Sequence, residues 1–299
     1  MPELPEVETV RIGLQALLPG RVVASEAHDW SEGFPNSDTD VAAFLVGATI
    51  SGVRRRAKVL LIDLSTNYSL VIHLKMTGQL VFRSDAAAFG AGHPNASLVG
   101  DLPDKSTRVT LTFTDGSKLF FNDQRKFGWM RLMPTPEVEN LDFFQKVGPE
   151  PLAADFTADQ FIARLQRRKK SGIKAVLLDQ TVVAGIGNIY ADESLWAAKI
   201  HPETAVQDVP PARLTALFDG LQKVLRLSIE KGGSTDRNYV NAEGRRGSYL
   251  TFANVFRREG KPCPRCGTTI VKLRVAGRGT HICPYCQQKA AGASVTIGE

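Results

Sequence analysis

All four cysteines of this chain stand near its carboxy-terminal end, as Cys263-Pro264-Arg265-Cys266 and Cys283-Pro284-Tyr285-Cys286. Two C-x2-C pairs separated by sixteen residues suit a closed tetrahedral zinc site, and four thiolate ligands leave no open position for catalysis. The expected cofactor is therefore one structural Zn2+ on Cys263, Cys266, Cys283 and Cys286. Between the pairs, Thr268 to Val275 and Thr280 to Ile282 read as strands of a hairpin, with Arg278 at its tip between Gly277 and Gly279. Disulfides are disfavoured in the cytoplasm. That is the expected compartment, since no apolar run reaches membrane-spanning length and no signal-peptide pattern precedes the first helical pattern.

Charge is concentrated around the same region. The chain has 299 residues and a net charge of +6. Residues 245 to 289 hold ten Lys and Arg against the single acidic Glu259, so this segment is +9 and the remainder −3. A solvated face is the ordinary reading of a charge run, but a concentrated basic segment is also the electrostatic footprint of a nucleic-acid binder.

At the other end the chain opens Met1-Pro2-Glu3-Leu4-Pro5-Glu6. Pro5 suits the first turn of a helix and Glu6 and Glu8 its positive end. Val7, Val10, Leu14, Leu17 and Leu18 continue at helical spacing to Pro19-Gly20. Two readings stand side by side. The stretch is a helix start; or, with Met1 removed, Pro2 is a secondary amine able to form an iminium, with Glu3 and Glu6 behind it to move protons. An α-amino group titrates near ~8, so it needs less tuning than a lysine to act at neutral pH.

From about residue 21 to 133 short β-like runs alternate with Gly, Asn, Asp and Ser turns, predicting an antiparallel sandwich or barrel with the first helix packed on it. Residues 84 to 106, rich in Ala, Gly, Asp and Ser, read as a long mobile loop interrupting it. Three stretches carry candidate chemistry. Lys58 precedes the apolar strand Val59 to Ile62, where a surface lysine is the bland reading. Met76 lies in His73-Leu74-Lys75-Met76-Thr77-Gly78, where methionine is ordinarily core filler. Asn122-Asp123-Gln124-Arg125-Lys126-Phe127-Gly128 places Arg125 and Phe127 on one loop, a poor core element but a good wedge between bases.

Beyond Pro134-Thr135-Pro136 helical periodicity takes over, at Thr157 to Gln166, Ile173 to Leu178, Ile189 to Ala198 and Pro211 to Lys231. The run Arg164, Arg167, Arg168, Lys169, Lys170, Lys174 reads as a solvated face. Gly185-Ile186-Gly187-Asn188 leads into a helix, either as a plain helix connection or as a turn whose N–H groups and dipole meet a phosphate. The fold class expected is α+β and multidomain: residues 1–134 a catalytic β-sandwich domain, 135–150 a hinge, 151–256 a helical domain, 257–289 a zinc finger and 290–299 a tail.

Five stretches in order, MPELPEVETV, HLKMTG, NDQRKFG, GIGNIYADESL and the paired CxxC, resemble the formamidopyrimidine-DNA glycosylases across nearly the whole chain. That family excises oxidised purines as a bifunctional glycosylase and AP lyase of base excision repair. The resemblance implies that the helical region is a helix-two-turns-helix domain, Pro2 the nucleophile, Glu3 the acid/base, Lys58 a contact to phosphate and the lesion site, and Glu6 an orderer of the site. It also implies that Met76, Arg125 and Phe127 enter the duplex, and that Lys170, Asn188 and Arg278 hold phosphate. Gly232 to Tyr239 resembles a lesion-capping loop. Two positions depart from the pattern: the usual Lys-His pair reads Lys105-Ser106, and the second arginine before the wedge phenylalanine is Lys126.

The partner implied is damaged double-stranded DNA, with no membrane, for a monomer in the bacterial cytoplasm. Two other readings stay open, an endonuclease VIII-like glycosylase for oxidised pyrimidines and a non-catalytic zinc-containing DNA binder. Leu4 favours purines over the first, since such enzymes begin Pro-Glu-Gly-Pro. The Pro-Glu start, Lys58 and the wedge loop favour an enzyme over the second.

Overall fold

A computed structural model of the chain describes residues 1–93, 95–234 and 249–289. The capping loop from residue 235 onward, Arg245, Arg246 and the tail lie outside the described residues. The chain forms two compact units, Met1–Val147 with Leu227–Thr251, and Gly148–Arg226 with Phe252–Glu299. The fold is α+β, with an antiparallel sandwich behind an amino-terminal helix, a helical region and a two-stranded hairpin. Among the described residues no helix is long and apolar enough to cross a membrane.

The first unit begins with α1 (Leu4–Leu17), whose Val7, Val10, Leu14 and the following Leu18 are fully buried on one stripe. The strands are β1 (Val23–His28), β2 (Ile50–Arg56), β3 (Val59–Leu64), β4 (Tyr68–His73), β5 (Gly78–Arg83), β6 (Ala88–Gly92), β7 (Thr107–Phe113), β8 (Lys118–Asp123) and β9 (Trp129–Pro134). A one-turn α2 (Asp38–Asp40) precedes β2. One sheet runs β1-β7-β8-β5-β6 and the other β2-β3-β4-β9, every pair antiparallel. Their inner faces meet in one core that takes Leu60, Ile62, Leu70 and Ile72 from one sheet and Leu80, Phe82, Leu111 and Phe121 from the other.

The central strands are apolar on both faces, because both outer faces are covered as well. Residues 135–147, expected as a hinge, form a 3-10 turn (Thr135–Asn140) and α3 (Asp142–Lys146). Their Val138 and Phe144 pack on Val59, Leu61 and Val71. On the other sheet, Leu98 covers Val81 and Phe120.

That second cover corrects the expectation of a mobile loop at 84–106. The segment supplies the edge strand β6 and a 3-10 turn, Ala96–Leu98. Its Ala-Phe-Gly-Ala-Gly composition hid the strand, since small residues carry little β propensity. Close packing explains that composition. A Cβ at Gly92 (φ +126) would lie 2.5 Å from the Gly78 carbonyl oxygen, and one at Gly13 would lie 2.1 Å from the Phe89 ring. The missing side chain on α1 is what lets β6 lie against it.

In the second unit α4 (Ala158–Gln166), α5 (Ile173–Leu178), α6 (Asn188–Ala197) and α7 (Pro211–Glu230) up to Arg226 occupy the stretches of helical periodicity. Thr157 caps α4 through a reciprocal box with Gln160, with bonds of 3.3 and 3.0 Å. β10 (Val271–Val275) and β11 (Arg278–Ile282) pair across a two-residue turn, Ala276-Gly277. Both turn residues have positive φ, +50 and +73, as a type I′ hairpin requires.

Candidate active site

Pro2, Glu3 and Glu6 are all buried at the start of α1. Glu3 is the helix N-cap, and its backbone N–H donates to Glu6 Oε2 at 2.8 Å. Glu6 Oε1 accepts from the backbone N–H of Ser234 at 2.7 Å. Gly233 (φ +87) packs so close that a Cβ there would stand 3.3 Å from the Glu6 carboxylate. One carboxylate thus ties the amino terminus to the last residues described before the capping loop. Helix start and candidate nucleophile are compatible, because the capping box is reciprocal between Glu3 and Glu6, each side chain accepting from the other's backbone N–H, and does not use the Pro2 nitrogen.

Lys58 follows the tight turn at Ala57 (φ +52) between β2 and β3 and is 5 % exposed. Burial, followed by the charges of Lys75 and Lys58, pushes the His73 imidazole down to about 3. A ring in that setting is neutral, and its Nδ1 accepts the Lys75 N–H at 3.0 Å. His73 therefore organises the turn that carries Met76, which is partly buried.

The loop with Arg125 and Phe127 is held by Asp123, a residue to which the sequence alone assigned no role. Asp123 is fully buried. Its Oδ2 accepts the N–H groups of Phe127 (2.9 Å) and Gly128 (2.7 Å), and its Oδ1 accepts the Thr77 hydroxyl and the Arg125 N–H at 3.2 Å. Thr77 Oγ1 in turn receives the Arg125 N–H at 3.0 Å. Since Gly78 and Asp123 are register partners, this clamp brings Met76, Arg125 and Phe127 to one end of one sheet. Lys126 (φ +56) turns the chain, and the Arg125 guanidinium sits 4.7 Å over the Phe127 ring. Phe127 is 50 % exposed. An aspartate opening a turn was the available signal, since Asp side chains bond backbone N–H groups ahead of them. Asp123→Ala orphans three donors, the Thr77 hydroxyl and the N–H groups of Phe127 and Gly128, while the Arg125 N–H keeps Thr77 Oγ1; at about 1 kcal/mol each this is roughly 3 kcal/mol. The sandwich's unfolding temperature should fall by about 6–12 °C, with faster proteolysis at residues 124–128.

In the second unit the four cysteine sulfurs lie within 4.8 Å of one another. A tetrahedral Zn–S distance of ~2.3 Å implies sulfurs about 3.8 Å apart, so the set fits zinc. Hydrogen bonds from Thr268 pull the Cys266 thiol down to about 6, whereas burial pushes the Cys283 thiol up to about 12. Four thiols this close cannot all ionise without a cation between them. Trp196 Nε1 donates to Cys263 Sγ at 3.4 Å, and Arg265 stacks 3.9 Å over the Trp196 ring. Gln287 accepts the Cys283 N–H at 3.0 Å.

Asn188 begins α6 and donates through Nδ2 to the Gly279 carbonyl at 2.8 Å, beside exposed Arg278. An amide nitrogen has two hydrogens, so one remains for a ligand in the open groove of about 470 Å³ lined by Asn188, Lys272, Glu259 and Gly279. Lys170 is exposed on a turn before α5. Lys174, read as part of a solvated face, is instead fully buried, with Nζ 2.6 Å from both Asp192 Oδ1 and Thr280 Oγ1. Asp192 Oδ2 accepts the His281 N–H at 2.9 Å, so α5, α6 and β11 are pinned together. Glu193 accepts the N–H groups of Asn254, Val255 and Phe256 at 2.8–3.0 Å.

Comparison with known proteins agrees with this architecture. Residues 1–130 match the formamidopyrimidine-DNA glycosylase N-terminal domain, 147–239 the H2TH domain of the same enzymes, and 260–289 the zinc finger found in FPG and IleRS. The formamidopyrimidine-DNA glycosylase of Enterococcus faecalis is 42% identical over 96% of this chain and 98% of its own length. That of Streptococcus pyogenes is 44% identical over 97% and 99%. The Lactococcus lactis Fpg, solved in complex with DNA containing an abasic site, superposes with a TM-score of 0.84 at 36% identity, covering 96% of this chain and all of that one. A MutM complex with carbocyclic 8-oxo-G DNA gives 0.83 at 35%, with the same coverage. With its sandwich, helical region and four-cysteine hairpin all matched in order, the chain belongs to the formamidopyrimidine-DNA glycosylase family.

Proposed function

We propose that this protein is a bifunctional DNA glycosylase and AP lyase that removes oxidised purines from duplex DNA through a Schiff base on Pro2. The observation that carries the reading is the buried Pro2-Glu3 pair at the start of α1, held by Glu6. With Met1 removed, the Pro2 nitrogen attacks C1′ of an everted nucleotide, and the C1′–base bond breaks as the base leaves with its bonding electron pair. Glu3 protonates the deoxyribose ring oxygen as the ring opens, and the resulting iminium acidifies C2′, so that the 3′ and then the 5′ phosphate eliminate. Lys58, Lys170, Asn188 and Arg278 hold phosphates. Met76, Arg125 and Phe127 fill the space the nucleotide leaves, because a stacked base cannot present C1′ to a nucleophile. Zinc on Cys263, Cys266, Cys283 and Cys286 supplies folding free energy to the hairpin that carries Arg278.

Duplexes with 8-oxoguanine, a formamidopyrimidine or an oxidised pyrimidine test the substrate class. Excision of the purines with β,δ-elimination products is expected. Preference for the pyrimidine would move the enzyme to the endonuclease VIII-like class.

Holding the backbone and opening the stack fall to different residues, which makes them separable. Arg278→Ala should weaken binding to damaged and undamaged duplex alike and flatten the salt dependence of log K by about 0.9, one phosphate contact. Phe127→Ala should leave that slope alone and slow excision from intact duplex, since unstacking by a few kcal/mol then goes uncompensated. Cleavage at a preformed abasic site should suffer less. Equal loss on both substrates would make the loop a structural element rather than a wedge.

A further inference from the structure

The segment 84–106 does more than close the sheet, for it delivers a histidine to the amino terminus. Phe89 packs on Gly13 of α1. From there the strand advances ~3.3 Å per residue and the helix ~1.5 Å. Four strand residues therefore cover about the distance back from Gly13 to Leu4, so His93 arrives level with the start of α1.

Its position is fixed on both sides. The His93 N–H donates to the Gly78 carbonyl at 3.0 Å, and its own carbonyl accepts from Nε2 of the fully buried Gln79. The same nitrogen of Gln79 also reaches Asn95 Oδ1 at 2.8 Å. Gly92, at a backbone angle and a distance that exclude a side chain, makes the close approach possible. The His93 ring is half-buried and has no hydrogen bond among the described residues. Two charged groups face it, the α-ammonium of Met1, one residue before Pro2, and Asp123, which pairs in register with Gly78.

Resting on the reading of Pro2 as nucleophile, we infer that His93 is the proton acceptor for the Pro2 nitrogen. When that nitrogen bonds to C1′ and the base departs, it holds a proton and a positive charge. The proton passes to the His93 imidazole. The restored lone pair then forms the C1′=N bond as the C1′–O4′ bond breaks and O4′ takes a proton from Glu3. The imidazolium returns its proton to solvent. Burial, and then the Met1 α-ammonium, lower the His93 pKa from 6.5 against the opposing effect of Asp123; burial, the larger cause, remains once Met1 is gone and keeps the ring neutral and able to accept at pH 7.

His93→Gln and His93→Ala in the zinc-loaded full-length enzyme test this in single-turnover borohydride trapping on 8-oxoguanine duplex. His93→Gln should form the covalent complex about 10²-fold more slowly, the scale of a lost general base, with unchanged affinity for undamaged duplex. Below the imidazole pKa the wild-type log rate should fall with slope two, since amine and imidazole must both be neutral, and that of His93→Gln with slope one. Added imidazole should accelerate His93→Ala. An unchanged rate and slope with Pro2 still the trapped residue would overturn the assignment of His93 alone, as would a rate loss matched by lost DNA affinity. Trapping at a lysine would overturn both assignments.

Discussion

Pro2→Gly should lower the rate of covalent complex formation with 8-oxoguanine duplex by about 10²-fold or more. A glycine amine remains nucleophilic, but it loses the ring that fixes its lone pair, and misplacing a reacting atom by ~1 Å is enough for a loss of that size. The variant should bind undamaged duplex as tightly as wild type, because Pro2 touches no phosphate in this account. It should also keep its unfolding temperature, since the cap of α1 is the reciprocal box between Glu3 and Glu6 and does not use Pro2. Glu6→Gln is the natural companion. It keeps one acceptor oxygen for one of the two N–H groups, which reach Oε2 (Glu3, 2.8 Å) and Oε1 (Ser234, 2.7 Å), and turns an amide NH2 towards the other, so it should be milder than Glu6→Ala, which orphans both.

Removing zinc, or replacing Cys263 with Ser, should unfold the hairpin. Structural zinc contributes on the order of 10 kcal/mol to such units, and the four sulfurs have little else to hold them. The hairpin's apolar cluster of Val255, Ile270, Cys263 and Cys283 is small and half made of metal ligands. Loss should spread to Asn188 and Arg278, since Asn188 bonds the Gly279 carbonyl of β11. Chelation should therefore abolish specific DNA binding while the sandwich still unfolds at its own temperature, seen by calorimetry as one lost and one retained transition. Full DNA affinity in metal-free protein would remove the hairpin from the interface.

Elements whose reasons are local were legible in the sequence. The stripe of Val7, Val10 and Leu14, the Thr157-Gln160 cap, the Ala276-Gly277 turn and the CxxC pairs each specify structure within a few residues. Elements whose reasons are tertiary were not. β6 looks like a loop because its glycines and alanines serve close packing on α1 and Gly78 rather than strand propensity. Lys174 looks like one more charge in a basic run, and only the approach of Asp192 and Thr280 from 18 and 106 residues away makes it a buried pin. Asp123 was in view, but its four donors come from two loops that only the β5–β8 register joins. His93 had no motif around it, and its meaning rests on where β6 ends.

Peptide mapping of the borohydride-trapped complex tests the Schiff base on Pro2 most directly. The enzyme is incubated with an 8-oxoguanine duplex and borohydride, digested with protease and nuclease, and the modified peptide sequenced by mass spectrometry. A deoxyribose remnant is expected on the peptide beginning at Pro2, with Met1 absent from every trapped molecule. A remnant on Lys58 or any other lysine, or trapping by protein that retains Met1, would contradict the assignment of Pro2.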